Sequence, residues 1–475
     1  MEDSFLTQSK AIRKQSNDIY SRLRSIQDDA KFVEEVSLAN PSLPLVANLR
    51  CGAWYCPPEI AHPSTPAYFK SQDGHEGQWD FSLRRSNLHL LPLISERGGI
   101  ILVDSTRRGK RLPDALSKTI PQWCATINRA LIVRDGPFQA GTSENETEAE
   151  DWARRIYVSP RSVSDSEKSR MEALLEGWAS KLLASSLELP SLKYPLRPIF
   201  VHKPSTLDLY HIPSLPSPSE LGFHPVMCLS ASEYIEDSTD RRRPGGWEYH
   251  QGAGDDHESW GMGMSPSDWW VWRGELLALE RDELELEVRR RVQARRAAVT
   301  PRTVTESERG MKGGVIVKPT RNLFIGTLSE PASRLPTISI YTSSSPPISD
   351  LSPSGSSHSV PSLVINHRPG KDDLQTLFNQ AVSFAKPIWA DGGEIWLGCE
   401  NGKDISVGAG IVLLQTFFND SGELLADGQS SETVSKATIQ KRLQWIINAQ
   451  PGANPTRSTL KTVNAYFMSA RFKPT

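Results

Sequence analysis

Residues 98–118 combine an aliphatic run, one acidic residue and a basic loop. Residues 100–103 are aliphatic, Asp104 follows them, and the next residues are Ser105, Thr106, Arg107, Arg108, Gly109, Lys110 and Arg111. This order is typical of a buried strand that carries an acid at its carboxyl end and runs into a loop that binds a polyanion. The alternative is a core strand followed by a solvated basic turn.

The segment after these basic residues predicts a helix over residues 113–132. Pro113 stands at its start, and its alanine, leucine, isoleucine, tryptophan and cysteine residues share one face. The free amide groups of its first turn would point into the basic loop, which is a common arrangement for binding an anion. Lys118 belongs to the same group of candidate phosphate-binding residues.

A second cluster of polar and aromatic residues lies upstream, within residues 67–87. It holds acidic residues, a histidine, four aromatic residues and two adjacent arginines near turn-forming glycines. Four of its members are second-tier candidates for the site: His75, Gln78, Arg84 and Arg85.

A third cluster, in residues 249–263, contains adjacent carboxylates after a glycine-containing turn. Gly254 precedes Asp255, Asp256 and His257. Adjacent carboxylates suit Mg²⁺, which takes one or two of them and keeps its other positions for water and substrate phosphates. A carboxylate here would otherwise serve as a general base, and the alternative to both roles is a solvated acidic turn. Gly254 and His257 are candidate substrate contacts.

The fourth candidate site is a loop that follows Cys399. Residues 363–419 are predicted to form strand, helix, strand, loop and helix, with Cys399 at the end of the second strand. A glycine loop between a strand and a helix N-terminus is a layout that binds phosphate with backbone amides. The candidate residues are Cys399, Asn401, Gly402, Lys403, Asp404 and Ser406.

This loop resembles that of the protein-tyrosine and dual-specificity phosphatases, whose pattern is His-Cys-x5-Arg-Ser/Thr. Gly398 stands in the histidine position and Ile405 in the arginine position. Without that guanidinium the loop has neither a bidentate grip on phosphate nor a group that stabilises the transition state. The sequence therefore predicts a phosphatase-like fold without phosphatase activity. The loop either binds phosphate through Lys403 and its amides or is purely structural.

The length of the chain favours two or three domains, and the succession of predicted strands and helices favours a mixed α/β (α+β) fold. The chain has 475 residues, a formal net charge of −2 and five scattered cysteines. The small charge confines nucleic-acid binding to local basic surfaces, and the cysteine usage favours a reducing compartment. No segment is typical of a signal peptide or a membrane span. We therefore expect a cytoplasmic protein with no membrane partner.

The strongest predicted break in the chain lies near residue 330. Residues 1–330 would form one domain, which starts with an amphipathic helix over residues 3–37 and ends after a charged helix over residues 274–297. Residues 331–475 would form a C-terminal α/β domain. The Ser/Pro-rich stretch at residues 343–362 would be a loop within that second domain.

Four long motifs in one order resemble the initiator-tRNA ribosyl phosphate transferases of fungi and plants. They begin at residue 67 (AYFKSQDGHEGQWDFSLRRSNLHLL), residue 98 (GGIILVDSTRRGKRLPDALSKTIPQWCATINRA), residue 251 (QGAGDDHESW) and residue 397 (LGCENGKDISVG). The resemblance implies transfer of 5-phosphoribose from phosphoribosyl pyrophosphate to the 2′-hydroxyl of adenosine 64 in the T-stem of initiator tRNA. That anionic branch would keep the tRNA out of elongation. The family pairs a distinctive N-terminal domain with a phosphatase-like C-terminal one.

The resemblance also suggests roles for the candidate residues. Arg107, Arg108, Lys110 and the adjoining amides would bind the donor phosphates. Lys403 and the Cys399 loop would bind either the 5-phosphate or a tRNA phosphate.

For the carboxylates the sequence leaves two roles open. Asp104, or the pair Asp255 and Asp256, would hold Mg²⁺ or take the proton of the 2′-hydroxyl. The standard phosphoribosyltransferase loop, two acids followed by Thr-Gly-Thr, is absent. One competing interpretation is a non-catalytic RNA- or phosphate-binding protein with an inactive phosphatase-like domain. Another is an active cysteine phosphatase.

Overall fold

The chain divides into two compact units. The computed structural model describes residues 18–49, 51–62, 66–107, 109–139, 153–185, 187–203, 214–236, 241–297, 314–328, 335–342, 360–368, 373–425 and 434–468. The N-terminal unit consists of Met1–Ser82, His89–Leu183 and Pro190–Val299, and the C-terminal unit consists of Leu83–Leu88, Ala184–Leu189 and Thr300–Thr475. Two short segments from the first two hundred residues therefore belong to the C-terminal unit.

A parallel sheet of four strands organises the N-terminal unit. Its strands are β1 (Leu45–Ala47), β2 (Ile100–Asp104), β3 (Leu196–His202) and β4 (His224–Ser230), in the spatial order β1-β2-β4-β3. Every residue of β2 and β4 is buried, which explains why each contains an uninterrupted apolar run. Because all pairings are parallel, the four carboxyl ends lie at one edge of the sheet. A small antiparallel ribbon, β5 (Arg242–Arg243) and β6 (Trp247–Glu248), is separate.

Helices and turns connect these strands. The helices are α1 (Ile19–Ala39), α2 (Leu90–Arg97), α3 (Ile120–Asp135), α4 (Asp165–Glu172), α5 (Leu175–Leu183), α6 (Pro218–Leu221), α7 (His257–Trp260), α8 (Pro266–Ala278) and α9 (Arg281–Ala297). A π-helical turn at Ala115–Thr119 leads into α3. The apolar stripe of α1 packs in one core with Ile101, Val103 and Met227 of the sheet. The predicted start of this helix at residue 3 lies outside the described residues.

The charged helix predicted over residues 274–297 is instead two helices. Helix α8 ends at Ala278, and Leu279 is extended, with φ −80° and ψ 149°. The side chain of Arg24, on α1, donates to the carbonyl oxygens of Leu277 and Leu279 at 3.0 and 3.3 Å. Carbonyls at a helix end have no partner within the helix, so this tertiary contact stabilises a break that local helix propensity does not predict.

The C-terminal unit contains a five-stranded sheet. Its strands are β7 (Val315–Ile316), β8 (Leu323–Thr327), β9 (Thr337–Tyr341), β10 (Ser362–Asn366) and β11 (Ile395–Cys399), in the order β10-β9-β11-β8-β7. All neighbours are parallel except β7 and β8. The helices are α10 (Leu374–Ala390), α11 (Ile405–Phe417), α12 (Lys436–Ala449) and α13 (Arg457–Met468).

The predicted α/β fold is confirmed in both units. The domain boundary near residue 330 stays a prediction. Strand β8, which ends before that point, is hydrogen-bonded to β11 and so lies within the sheet of the C-terminal unit. Most of the Ser/Pro-rich stretch, residues 343–359, lies outside the described residues. Within the described part of the chain, every helix is too short or too polar to cross a bilayer.

Candidate functional site

A cavity of about 350 Å³ lies in the N-terminal unit. Its lining is strongly polar and consists of Arg22, Arg107, Ile235, Arg241, His250, Gln251, Gly252, Asp255, Asp256 and Ser259. Two of the contributing segments follow strands at the carboxyl edge of the sheet: the basic loop (residues 105–111) follows β2, and residues 231–236 follow β4. Ligands of open parallel sheets commonly bind at this edge. The volume suits a small molecule.

The basic loop packs closely against the acidic turn (residues 252–258). Gly252 has φ +69°, and a Cβ at this position would lie only 2.7 Å from the carbonyl oxygen of Thr106. The side-chain amide of Gln251 donates to the carbonyl oxygen of Lys110 at 2.7 Å. On its other side the turn is fixed by Tyr55, whose hydroxyl accepts the Gly254 amide at 2.8 Å. The structure therefore brings together two of the four clusters that the sequence singled out.

Arg107 links the two segments electrostatically. Its Nε lies 3.6 Å from Oδ2 of Asp255, and its Nη2 donates to Oδ2 of Asp256. Asp255 is 6% exposed and Asp256 is 64% exposed, so the pair presents one carboxylate to solvent and keeps the other inside. Asp256 has φ +48°, a left-handed conformation that aspartate tolerates better than most residues.

Seven residues of the cavity wall were not among the predicted site residues, and three of the seven are basic. Arg22 on α1 donates to the carbonyl oxygen of Ala253 at 2.8 Å and stacks 5.4 Å from the ring of Trp260. Burial lowers the pKa of the Arg22 guanidinium, although an arginine remains a cation at neutral pH. Arg241 follows a segment of the chain that the structure does not describe, and its Nη1 lies 3.9 Å from Glu248.

His250 is the third of these residues. Burial, followed by the charge of Arg22, lowers the pKa of its imidazole, so the ring is neutral at neutral pH. Counting formal charges, three guanidinium groups face two carboxylates in the cavity lining. This lining favours an anionic ligand.

Comparison with protein-family models identifies the family. The chain matches the model described as "Rit1 N-terminal domain" over residues 12–293, more than half of its length. The chain belongs to the Rit1 family. A second model, "Rit1 DUSP-like domain", matches residues 362–467. The family resemblance carried by the four sequence motifs is thereby confirmed, and the cavity lies in the part of the chain that matches the Rit1 N-terminal domain.

Two curated proteins show how far the similarity extends. The chain is 29% identical to the tRNA A64-2′-O-ribosylphosphate transferase of Saccharomyces cerevisiae over 512 aligned residues, which cover 97% of this chain and 94% of that relative. It is 38% identical to the uncharacterized protein C3F10.06c of Schizosaccharomyces pombe over 272 residues, covering 56% of this chain and 55% of that protein.

Two of the solved structures that resemble the chain are a human and a mouse protein. Human DUSP28 is 18% identical with a TM-score of 0.23, covering 32% of this chain and 90% of its own. A mouse putative dual specificity phosphatase is 18% identical with a TM-score of 0.24, covering 35% and 92%. The DUSP-like character of the C-terminal part rests on the Rit1 family match to residues 362–467.

Asp104 does not line the cavity of this Rit1 family member. It is fully buried, and its carboxylate accepts hydrogen bonds from the Asn48 side chain (2.9 Å), the Cys51 thiol (2.8 Å) and the Ser105 amide (2.9 Å). The hydroxyl of Ser105 in turn lies 2.6 Å from that of Ser232. These contacts hold the first residue of the basic loop at the strand end, and they favour a positioning role for Asp104 over that of a base.

The remaining candidates of the N-terminal unit are not among the residues that line the cavity. Lys110 pairs with Asp114 at 2.9 Å, and His75 lies 3.7 Å from the same carboxylate. Lys118 pairs with Glu167 at 2.7 Å, and both are largely buried. Gln78, Gly109 and His257 are described but do not line the cavity. Arg108 lies outside the described residues.

Arg84 and Arg85 belong to the C-terminal unit. They form a short 3-10 turn, Leu83–Arg85, within its segment Leu83–Leu88. The sequence grouped them with His75 and Gln78 because they are close along the chain, but the structure assigns the two pairs to different units.

The Cys399 loop lies where the phosphatase comparison predicts it, between β11 and α11. The thiol of Cys399 is buried and lies 3.0 Å from the hydroxyl of Ser406. The Lys403 amide donates to the side chain of Asn401 at 2.9 Å, and the Gly402 amide donates to the carbonyl oxygen of Cys399 at 3.2 Å. These two amides are therefore engaged within the loop.

The remaining loop residues have structural contacts as well. Asp404 accepts the Thr456 amide at 2.8 Å. Ile405 is 8% exposed and stands where phosphatases have their arginine. Phosphate binding by the loop stays a prediction, while the missing guanidinium argues against hydrolysis of phosphate esters.

Proposed function

We propose that this chain transfers 5-phosphoribose from phosphoribosyl pyrophosphate to the 2′-hydroxyl of adenosine 64 in initiator tRNA. The similarity to the yeast enzyme over 97% of the chain supports the reaction. The observation that carries the proposal is the cavity in the part of the chain that matches the Rit1 N-terminal domain. Its three guanidinium groups and two carboxylates suit a donor that consists of a ribose flanked by phosphates.

The reaction requires charge stabilisation more than covalent chemistry. The bond between C1 of the ribose and pyrophosphate breaks, the 2′-oxygen of the tRNA bonds to C1, and the hydroxyl proton passes to a base. Negative charge grows on the leaving pyrophosphate. Arg22, Arg107 and Arg241 would stabilise that charge, because preorganised cations act most strongly where charge develops in the transition state.

Asp255 and Asp256 would have different roles in the reaction. Asp256 is exposed at the cavity and would take the proton from the incoming hydroxyl. Asp255 is buried beside Arg107 and would hold that guanidinium against the donor phosphates. The fully buried Asp104 would position the basic loop.

Magnesium fits this site as an ion that is shared with the donor. Within the described residues, no group of three or more His, Cys, Asp or Glu side chains is placed to hold a metal. Mg²⁺ usually takes one or two carboxylates and fills its other positions with water and substrate phosphates. Asp255 would be the carboxylate ligand beside the donor phosphates, while Asp256 remains the base. The ion would neutralise charge on the leaving pyrophosphate.

The test is transfer of labelled phosphoribose to initiator tRNA by the purified protein in the presence of Mg²⁺. We expect an adduct on the tRNA and none on a tRNA that carries 2′-deoxyadenosine at position 64. Absence of any adduct would refute the proposal. Tight binding of tRNA with no consumption of the donor would favour the non-catalytic interpretation.

A variant of the cavity wall sharpens the test. Arg22→Ala should raise the KM for the donor about tenfold or more, which corresponds to the loss of one charged hydrogen bond. Lys31→Ala removes an exposed cation from the same helix and should leave this KM unchanged. Equal values of KM in the two variants would remove Arg22 from the donor site.

A further inference from the structure

We infer that a second cationic surface, beside the cavity, binds the phosphodiester backbone of the RNA acceptor. We call it the edge patch and define it by Arg111, Arg161, His202 and Tyr234. The inference rests on the proposed function for the identity of the RNA, but its argument uses contacts that the donor cavity does not include.

The edge patch is assembled at the carboxyl edge of the N-terminal sheet. Arg111 is the last residue of the basic loop after β2, Tyr234 lies four residues after the end of β4, and His202 is the last residue of β3. The guanidinium carbon of Arg111 lies 4.7 Å from the centre of the Tyr234 ring. Because β2, β4 and β3 are adjacent and parallel, these three residues lie at the same edge of the sheet.

Arg161 reaches the same place from outside the sheet. Near the start of β3, the guanidinium of Arg197 stacks 4.8 Å from the ring of Tyr157. At the end of β3, burial and then the nearby charges of Arg111 and Arg161 lower the pKa of His202. Tyr157 thus lies near the start of β3, and Arg161, four residues further along the chain, is one of the charges that act on His202 at the end of that strand.

The two arginines of the edge patch are available to an anionic partner. Arg161 is exposed and Arg111 is partly exposed. In the described part of the chain neither forms an ion pair with a carboxylate, whereas Arg289 and Arg290 on α9 are paired with Glu285 and Glu287. Among the described residues no ion pair compensates either charge, and a phosphodiester backbone would neutralise both. The aromatic ring of Tyr234 adds a surface on which a base or a guanidinium stacks.

The edge patch is continuous with the donor cavity. Gln251, which lines the cavity, donates to the carbonyl oxygen of Lys110 at 2.7 Å and accepts the Ile235 amide at 3.1 Å. Lys110 directly precedes Arg111, and Ile235 directly follows Tyr234. An RNA strand bound on the edge patch would therefore bring a ribose hydroxyl toward the mouth of the cavity, where the reaction needs it.

The test compares two double variants that remove the same charge. Arg111→Ala/Arg161→Ala removes the edge patch cations, and Arg289→Ala/Arg290→Ala removes two paired cations of the same unit as a control. Binding of initiator tRNA is measured by fluorescence anisotropy between about 50 and 200 mM salt. We expect the first variant to bind about tenfold more weakly or worse at about 0.1 M salt. The slope of log K against log salt should also fall by about two.

Donor binding, measured by calorimetry with phosphoribosyl pyrophosphate, should be unchanged in both double variants. The inference is overturned if the edge patch variant keeps the affinity and salt slope of the control. It is equally overturned if that variant loses donor binding, because the arginines would then belong to the cavity. If the double variant does not fold, the single variant Arg161→Ala, at an exposed position, is the test. Its slope of log K against log salt should fall by about one.

Failure of the proposed function would look different. If the wild-type protein transfers no phosphoribose, the reaction is refuted, and the salt slopes still report whether the edge patch binds RNA. Tyr234→Phe, which keeps the ring, should retain the wild-type affinity for tRNA, while Tyr234→Ala should weaken it. Equal affinities in these two variants would exclude stacking on Tyr234 as part of the surface.

Discussion

The close approach of the acidic turn to the basic loop predicts a specific effect of Gly252→Ala. Gly252 has φ +69°, which costs a non-glycine residue about 1–2 kcal/mol. A Cβ there would lie 2.7 Å from the Thr106 carbonyl oxygen, and because that atom belongs to the backbone, relief of the contact adds about 1–3 kcal/mol. We expect the free energy of unfolding to fall by about 2–5 kcal/mol. Affinity for pyrophosphate should fall as well, because the basic loop must move.

Gly246→Ala provides the matched control for this prediction. Gly246 also has a positive φ, +74°, but a Cβ there would meet nothing within 4 Å. Its cost is therefore the backbone strain of about 1–2 kcal/mol, with no displacement of the loop. Urea unfolding measures the stability of both variants, and calorimetry measures their pyrophosphate affinity. Equal stability losses together with equal affinities would refute the idea that this approach shapes the cavity.

Three further predictions concern residues outside the cavity wall. Cys399→Ser should leave the rate of phosphoribosyl transfer within about twofold of the wild type. The wild type should not hydrolyse phosphate esters, because Ile405 supplies no guanidinium. A phosphatase activity that is present in the wild type and lost in the variant would contradict this. Asp104→Asn should destabilise the protein by about 1–3 kcal/mol, because it disturbs buried hydrogen bonds. The pH dependence of the transfer rate should stay unchanged. If the variant lost the fall in rate at acidic pH, Asp104 would be the base. Burial raises the pKa of Asp29 to about 6 although Lys203 opposes the shift, so its contribution to stability is present below the unfolded pKa and is lost as the pH rises through about 6. Between about pH 4 and 7.5 the unfolding free energy should therefore fall more steeply for the wild type than for Asp29→Asn, and parallel curves would contradict the shift.

The sequence predicted those parts of the fold and site that depend on local order. The aliphatic run before Asp104 is a buried strand, and the basic loop does follow it at the carboxyl edge of a parallel sheet. The adjacent carboxylates Asp255 and Asp256 do lie beside that loop. The strand, loop and helix around Cys399 are also as predicted. In each case the signal was a change of residue type within about ten positions.

The cavity wall depended on contacts that no short window contains. Arg22 belongs to an amphipathic helix whose polar face gives no sign of which residue reaches a site, and its partner Ala253 is 231 residues away. His250 and Arg241 are recognised as site residues only from the packing that places them in the cavity wall. Conversely, Asp104 has the sequence position of a catalytic acid but is enclosed by Asn48 and Cys51. Burial by distant residues is decided by tertiary structure.

The two short segments of the C-terminal unit that come from early in the chain affect how the protein is made. Ser86, in the segment Leu83–Leu88, donates to Asn448 across 362 residues of sequence. Ribosomes deliver the first of these residues long before the second, and contacts of such high sequence separation form late because the intervening loop must close. The C-terminal unit can therefore be completed only after residue 448 has been translated. A chain cut at residue 300 or 330 would deprive that unit of two of its own segments.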